Sequence, residues 1–199
     1  MALWRTRILT VIAVAALLPT GVALAKTSSG TTYYLDCGRG DDGGSGTSVG
    51  GAWRSLAKAS GHVYGPGDRL LLKRGTSCTG VLAPEGGGAQ GAPVRIDTYG
   101  RGAKPHIEGA GARAAVHLVN TEQWVIRNLD ISNTGPATTT DRRAGLLVRL
   151  TDYGVAHGFT VDGVDVHDVN GADFKDPDPS GGILFSVRGS AVPTLPHCL

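Results

Sequence analysis

The 199-residue sequence has little net charge, few cysteines and almost no helical pattern. Its composition excludes several classes of protein. Lys and Arg number 19 against 17 Asp and Glu, so the chain lacks the basic stripe that a nucleic-acid partner requires. Residues 26–199 are numerous enough to bury a real core, which rules out a small domain held together by disulfides. The 31 glycines follow no three-residue period, which excludes a collagen.

Residues 1–25 have the pattern of an export signal. Two arginines precede an apolar run, and Ala23 and Ala25 then occupy the positions that a signal peptidase reads. A membrane anchor is the alternative, but the run is short for a span of about 20 residues, and Pro19 interrupts it. The sequence therefore predicts a secreted, monomeric protein with one domain, 26–199, and no membrane contact after cleavage.

The three cysteines fit an exported protein. Cys37 and Cys78 are expected to form a disulfide, which leaves Cys198 unpaired. A metal site is the weaker alternative, because no Cys-x-x-Cys and no His/Cys ligand spacing occurs.

Short β-rich runs, bounded by Gly and Asn, make up most of the mature sequence. The only stretch with a short helical stripe is Trp53–Ser60. The β-rich runs are 69–73, 94–99, 116–119, 124–131, 146–150, 159–169 and 183–187. The pattern predicts an all-β protein.

Two of these runs repeat in register. The stretch 124–133 lies over 159–168 at an offset of 35, and Asn128 then matches Gly163. Both residue types tolerate the left-handed backbone of a tight bend between strands. The remaining matched pairs are Ile126 with Val161, Leu129 with Val164, Asp130 with Asp165, Ile131 with Val166 and Ser132 with His167.

A preceding strand repeats as well, with apolar pairs at 116/118, 146/148 and 183/185. A period of thirty-odd residues with short strands and one bend is typical of a solenoid, in which each coil stacks on the next. A β-sandwich is the structural alternative. It predicts hairpin turns between neighbouring runs, and no Asn-Gly hairpin lies between them.

Six short segments carry a family resemblance. They are Tyr33–Asp36, Trp53–Ala59, Gly65–Leu72, Pro93–Ile96, Ile131–Asn133 and Val166–Gly171. Together they resemble the start of a secreted right-handed parallel β-helix protein of the pectate-lyase-like superfamily. The resemblance implies a right-handed parallel β-helix of roughly four coils with a short N-terminal capping helix. The expected layout is a cap at 31–68, coils at 69–188 and an irregular tail at 189–199.

Proteins of that superfamily usually have more coils than four. The ending, 190–199, contains two prolines and no strand pattern. An uncovered last coil would expose a row of unpaired backbone groups. The sequence therefore predicts a C-terminally truncated or frame-shifted product.

Acidic residues concentrate on the repeated strands and in the loop that follows. Six of the 17 acids fall between 162 and 178, and Asp130 is in register with Asp165. Asp130, Asp165 and Asp168 on one outer face form a candidate Ca²⁺ site, because Ca²⁺ prefers several oxygen ligands. The alternative is a half-solvated strand, in which outward polar residues alternate with valine.

The resemblance implies a lyase mechanism for such a site. Ca²⁺ would bind the carboxylate of an acidic sugar, and a Lys or Arg would abstract the neighbouring proton. Lys175 is then the candidate base, Arg127 or Arg143 the clamp for the substrate carboxylate, and His167 an alternative proton carrier.

Hydrolysis is the second catalytic hypothesis, with Asp165 and Asp168 as the acid and the base. Two further hypotheses involve no catalysis: a carbohydrate-binding or adhesion β-helix, and an inactive remnant. The acidic segment 173–178 is also typical of a solvated loop, and Asn170-Gly171 of a turn. Four isolated histidines are predicted to be structural: His62, His106, His117 and His157. The leading prediction is a secreted β-helix that acts on an extracellular, acidic polysaccharide.

Overall fold

A computed structural model of the chain describes residues 30–137, 140–172 and 179–189. The predicted signal peptide, Cys198 and nearly all of the predicted tail lie outside these residues. The described residues contain one short α-helix, α1 (Leu56–Ser60), one 3₁₀ turn (Val49–Gly51) and fourteen strands. No helix in this part of the chain is long and apolar enough to cross a membrane.

Almost all regular structure is β. The strands are β1 (Thr32–Leu35), β2 (Val63–Tyr64), β3 (Arg69–Lys73), β4 (Ser77–Thr79), β5 (Glu85–Gly86), β6 (Val94–Tyr99), β7 (His106–Glu108), β8 (Ala114–Val119), β9 (Trp124–Arg127), β10 (Asp130–Asn133), β11 (Ala144–Thr151), β12 (Phe159–Asp162), β13 (Asp165–Val169) and β14 (Gly181–Arg188). All pairings between them are parallel, which confirms the prediction of an all-β parallel fold.

The strands form three main sheets that the chain visits in a fixed cyclic order. The five-stranded sheet has the order β1-β3-β6-β9-β12, the four-stranded sheet β4-β7-β10-β13, and the three-stranded sheet β8-β11-β14. The strands β2 and β5 form a separate pair. From β6 to β14 the chain passes three times from the five-stranded to the four-stranded to the three-stranded sheet, so each sheet gains one strand per passage.

Rows of stacked aliphatic side chains hold the sheets together. In the five-stranded sheet, Leu70, Ile96 and Ile126 are register partners on successive strands, and all are at least 99% buried. A second row in the four-stranded sheet contains Cys78, Ile107, Ile131 and Val166. Each inward side chain packs on the equivalent side chain of the neighbouring strand, which belongs to the next passage of the chain. The core is therefore buried by stacking one passage on another.

The offset of 35 between the repeats is confirmed. Ile126 pairs with Val161, Asp130 with Asp165, and Ser132 with His167. The register shifts after Ser132, so that Asn133 pairs with Val169 and not, as the offset predicted, with Asp168. Asp168 has a φ of +47° and is the extra residue of a β-bulge, which re-aims its side chain.

The predicted helix at Trp53–Ser60 is shorter than expected. It begins at Leu56, and the Ser55 hydroxyl caps it by accepting from the backbone N–H of Lys58 at 3.0 Å. The Asp42 carboxylate accepts from the N–H groups of Arg54 and Ser55, which holds the preceding residues extended. Trp53 is buried and forms an isolated parallel bridge with Leu35, so it lies outside the helix.

The disulfide between Cys37 and Cys78 is confirmed. It joins the loop after β1 to β4, across 41 residues of sequence, and Cys78 lies in the core row of the four-stranded sheet. The bond therefore ties the first strand of the five-stranded sheet to the first strand of the four-stranded sheet.

The bend between β12 and β13 gives a direct test of the repeat. Gly163 has a φ of +61°, and its equivalent one repeat earlier, Asn128, has a φ of +57°. Gly163→Ala is expected to lower the free energy of unfolding by about 1–2 kcal/mol, because alanine strains the left-handed backbone. Gly163→Asn, which copies the earlier bend, should cost clearly less. Urea unfolding measures both, and equal losses in the two variants would contradict this account.

Candidate functional site

The outer face of the four-stranded sheet carries a cluster of polar side chains. The second residues of β7, β10 and β13, Ile107, Ile131 and Val166, point into the core, so their neighbours point outward. We call these outward residues, together with the bulge residue, the polar ladder: His106, Glu108, Asp130, Ser132, Asp165, His167 and Asp168.

Asp130 stands at the centre of the polar ladder, between two imidazole rings. Its Oδ2 lies 3.1 Å from Nδ1 of His106, and its Oδ1 lies 2.8 Å from Nε2 of His167. The two rings are stacked, with centroids 5.8 Å apart and planes 25° from parallel. One carboxylate therefore holds two histidines from the strands on either side of its own.

His167 meets a carboxylate at each ring nitrogen. Its Nδ1 lies 2.7 Å from Oδ2 of Asp168, on the side opposite Asp130. The hydrogen bond with Asp168, and then that with Asp130, raise the pKa of His167 above its usual value, because both stabilise the protonated ring. The bulge is what brings Asp168 into this position.

Ser132, His106 and Asp130 are connected in the order of a catalytic triad. The Ser132 hydroxyl lies 3.1 Å from Nε2 of His106, but it also donates to Oε2 of Glu108 at 2.5 Å. The Ser132 hydroxyl lowers the pKa of Glu108, with help from the N–H groups of Ala110 and Thr134, so this carboxylate is ionised and only accepts. Since the single hydroxyl proton points at Glu108, Ser132 accepts from His106 and is not activated as a nucleophile. It is also only 3% exposed.

The predicted Ca²⁺ ligands share one face, and each of their carboxylates is paired with a nitrogen group of the protein. Asp165 is paired with the Lys104 ammonium at 2.8 Å, Asp168 with His167, and Asp130 with both histidines. Ca²⁺ takes six to eight oxygen ligands, and here nitrogen donors stand between the carboxylates. This donor set fits Ca²⁺ poorly.

Of the three predicted basic residues, the two in the described part of the chain are not gathered at the polar ladder. Arg127 lies in the five-stranded sheet and pairs with Asp162 at 3.2 Å. Arg143 is 1% exposed, which argues against the predicted role of substrate clamp, because its guanidinium already bonds to protein groups. Lys175, the predicted base, lies outside the described residues.

Arg143 instead belongs to a buried polar corner at the end of β10. Its Nε donates to the carbonyl of Gly111 at 3.0 Å, and its Nη1 lies 3.2 Å from Oδ1 of Asn170. Asn170 also exchanges two hydrogen bonds with the backbone of Gly135. The predicted turn at Asn170-Gly171 therefore clamps neighbouring loops, next to the site but as a structural element.

Three members of the polar ladder are not predicted as site residues from the sequence. The isolated position of His106 indicates a structural histidine, Glu108 belongs to no motif, and Ser132 matches His167 only as a register partner. His106 is 24 residues before its partner Asp130, and this offset differs from the 35 residues of the next repeat. The available signal is the alternation His-Ile-Glu in β7, which places two polar residues on one face of the strand.

No protein-family model matches the chain. A lacto-N-biosidase of Bifidobacterium longum subsp. longum is 27% identical to it over 214 aligned positions, which cover 81% of this chain. Two crystal structures of a GH136 lacto-N-biosidase from Eubacterium ramulus, a selenomethionine derivative and the native protein, are 26% identical to it. They match 80% of this chain with TM-scores of 0.75 and 0.73.

These similar proteins are glycoside hydrolases. The chain spans only 13% of the length of the Bifidobacterium protein and 30% of the solved Eubacterium chain. The similarity shows that this chain shares its fold with part of a carbohydrate-active protein, as the coarse prediction of the fold expected. It gives no support to the predicted acidic polysaccharide or to lyase chemistry.

Proposed function

We propose that the chain forms a right-handed parallel β-helix of about four coils that takes part in hydrolysing glycosidic bonds. The cyclic visits to three parallel sheets support the coil arrangement, and crossovers between parallel strands are right-handed in nearly all proteins. The observation that carries the hydrolytic function is the likeness to lacto-N-biosidases over four-fifths of this chain.

The proposed substrate is an oligosaccharide that carries a lacto-N-biose unit, since that is what the name of the similar enzymes identifies. This sugar is neutral, so no carboxylate clamp is required. That agrees with the placement of Arg127 in an ion pair with Asp162 and of Arg143 in a buried corner. Release from the cell, as predicted from residues 1–25, agrees with the disulfide, which forms in oxidising compartments.

The polar ladder is the proposed sugar-binding surface. Its carboxylates accept hydrogen bonds from sugar hydroxyl groups, and its imidazoles donate or accept them. Asp165 and Asp168 are the proposed acid and base, because their side chains are 65% and 77% exposed and both reach solvent on the same face. Asp130 is the less suitable partner, since both of its oxygens are engaged by histidines.

Activity is tested with an aryl glycoside of lacto-N-biose and with a lacto-N-biose-containing tetrasaccharide. The purified chain is expected to release the disaccharide, and Asp165→Asn and Asp168→Asn to lower kcat by about 100-fold or more. Asp162→Asn is the matched control. Its side chain is 62% exposed and ion-paired like that of Asp165, but it lies in the five-stranded sheet. It should retain full activity.

Three results would overturn parts of this proposal. Equal loss in all three variants would remove the assignment of Asp165 and Asp168. Ultraviolet-absorbing unsaturated products from polygalacturonate would show elimination rather than hydrolysis. Binding of the tetrasaccharide without any product would leave a carbohydrate-binding module, and the ion pairs of the ladder carboxylates would then explain the lack of catalysis.

A further inference from the structure

The centre of the polar ladder has the donor set of a transition-metal site. His106, Asp130 and His167 each offer one ligand atom, and these three atoms lie within 4.8 Å of one another. The inward nitrogens are Nδ1 of His106 and Nε2 of His167, both of which face the carboxylate of Asp130. Two imidazoles and one carboxylate are a common ligand set for Zn²⁺ and similar ions.

The groups behind the histidines match what metal-binding histidines require. A ligating imidazole almost always donates its other N–H to a carboxylate or another acceptor, which fixes the orientation of the ring. His167 has Asp168 at 2.7 Å on its outer nitrogen. His106 has the Ser132 hydroxyl at 3.1 Å on its outer nitrogen, and Glu108 holds that hydroxyl. Both rings can bind an ion inward while their outer N–H bonds stay in place.

The rings are also held on a rigid base. The three residues come from β7, β10 and β13, adjacent strands of one parallel sheet, and Asp130 is the register partner of His106. Beneath them lies the row of Ile107, Ile131 and Val166, of which the first two are fully buried. Sites built on paired strands hold their ligands in place better than sites on loops.

We propose that His106, Asp130 and His167 bind one divalent ion of the zinc type, with solvent completing a tetrahedral shell. Nitrogen donors favour Zn²⁺ over Ca²⁺, and three protein ligands leave one position open. The ladder faces solvent at His167, whose side chain is 47% exposed, so the open position is accessible from outside. This inference does not depend on the proposed glycosidase activity, because ion binding requires no substrate.

The test uses the full chain without a polyhistidine tag, after dialysis against a chelator. Calorimetric titration with ZnCl₂ is expected to give one ion per chain, and CoCl₂ to give the intense visible absorption of a tetrahedral ion. His106→Ala, Asp130→Asn and His167→Ala should each weaken Zn²⁺ binding by at least tenfold. Asp168→Asn, which contacts the ring of His167 and not the ion, should weaken it by about tenfold.

The matched control is His157→Ala, which removes an exposed histidine away from the ladder and should leave the affinity unchanged. Circular dichroism shows whether each variant is folded. If His106→Ala does not fold, the exposed His167→Ala and the rise of the wild-type Tm with added Zn²⁺ decide the matter. Unchanged affinity in His167→Ala, no rise in Tm with Zn²⁺, or tighter binding of CaCl₂ than of ZnCl₂ would each overturn the proposal.

Discussion

Asn133→Ala is expected to lower the free energy of unfolding by about 3–4 kcal/mol. Asn133 is fully buried, and its amide group donates to the carbonyls of Ala112 and Ala144, both at 2.8 Å. Its Oδ1 accepts from the N–H of Gly111 at 3.0 Å. Alanine leaves these three backbone groups without a side-chain partner in a corner where Arg143 is also buried. Equilibrium unfolding in urea measures the loss.

Two further variants separate hydrogen bonding from packing. Asn133→Asp keeps the size of the side chain but places an oxygen against the carbonyls that Asn133 now serves, so it should destabilise the fold at neutral pH at least as much as alanine. Thr134→Ala, at the exposed neighbouring position, should cost less than about 1 kcal/mol. A small effect of Asn133→Ala would show that the corner is not a stabilising element.

Removing the disulfide is expected to have an effect of the same size. The bond between Cys37 and Cys78 closes a loop with a sequence separation of 41. The loop-closure model gives about 4 kcal/mol for a loop of that length, because the reduced unfolded chain gains conformational freedom. Cys37→Ala combined with Cys78→Ala should shift the urea midpoint accordingly, as should reduction of the wild-type protein.

Cys198→Ser serves as the control for the disulfide experiment. It changes a cysteine outside the described residues and should leave the midpoint unchanged. Adding reductant to the double variant should also have no effect, since it contains no bridge. If reductant destabilised the double variant as much as the wild type, the loss would not come from the Cys37–Cys78 bond.

The repeat was predictable because stacking imposes a rule on the sequence. An inward position in one passage must face an inward position in the next, so Ile126 and Val161 are both aliphatic at an offset of 35. The same rule explains why Asn128 and Gly163, the two bends, could be matched without a structure. The alternation of residue types within a strand and the repetition between strands can both be read from the amino-acid sequence alone.

The polar ladder was only half predictable. Asp130, Asp165 and His167 lie within the regular offset, which predicts their place on one outer face. The position of His106 is not predictable in this way, because the loops that separate β7, β8 and β9 are shorter than those that separate β10, β11 and β12, and loop length follows no stacking rule. The side-chain partners, such as Lys104 for Asp165, depend on rotamers and on neighbouring strands, which no offset specifies.

The sequence by itself determined the parallel stacking, the positions of the bends and the disulfide. Each of these follows from a local requirement on residue type: an aliphatic side chain to bury, a residue that tolerates positive φ, or a thiol in an oxidising compartment. Only the tertiary structure decided what the polar residues do. The bulge at Asp168 and the burial of Arg143 set which charges meet, and both arise from contacts between strands that are distant in sequence. Arg143 thereby bonds to the loop carbonyl of Gly111 in a buried corner, and Asp130 is held between His106 and His167.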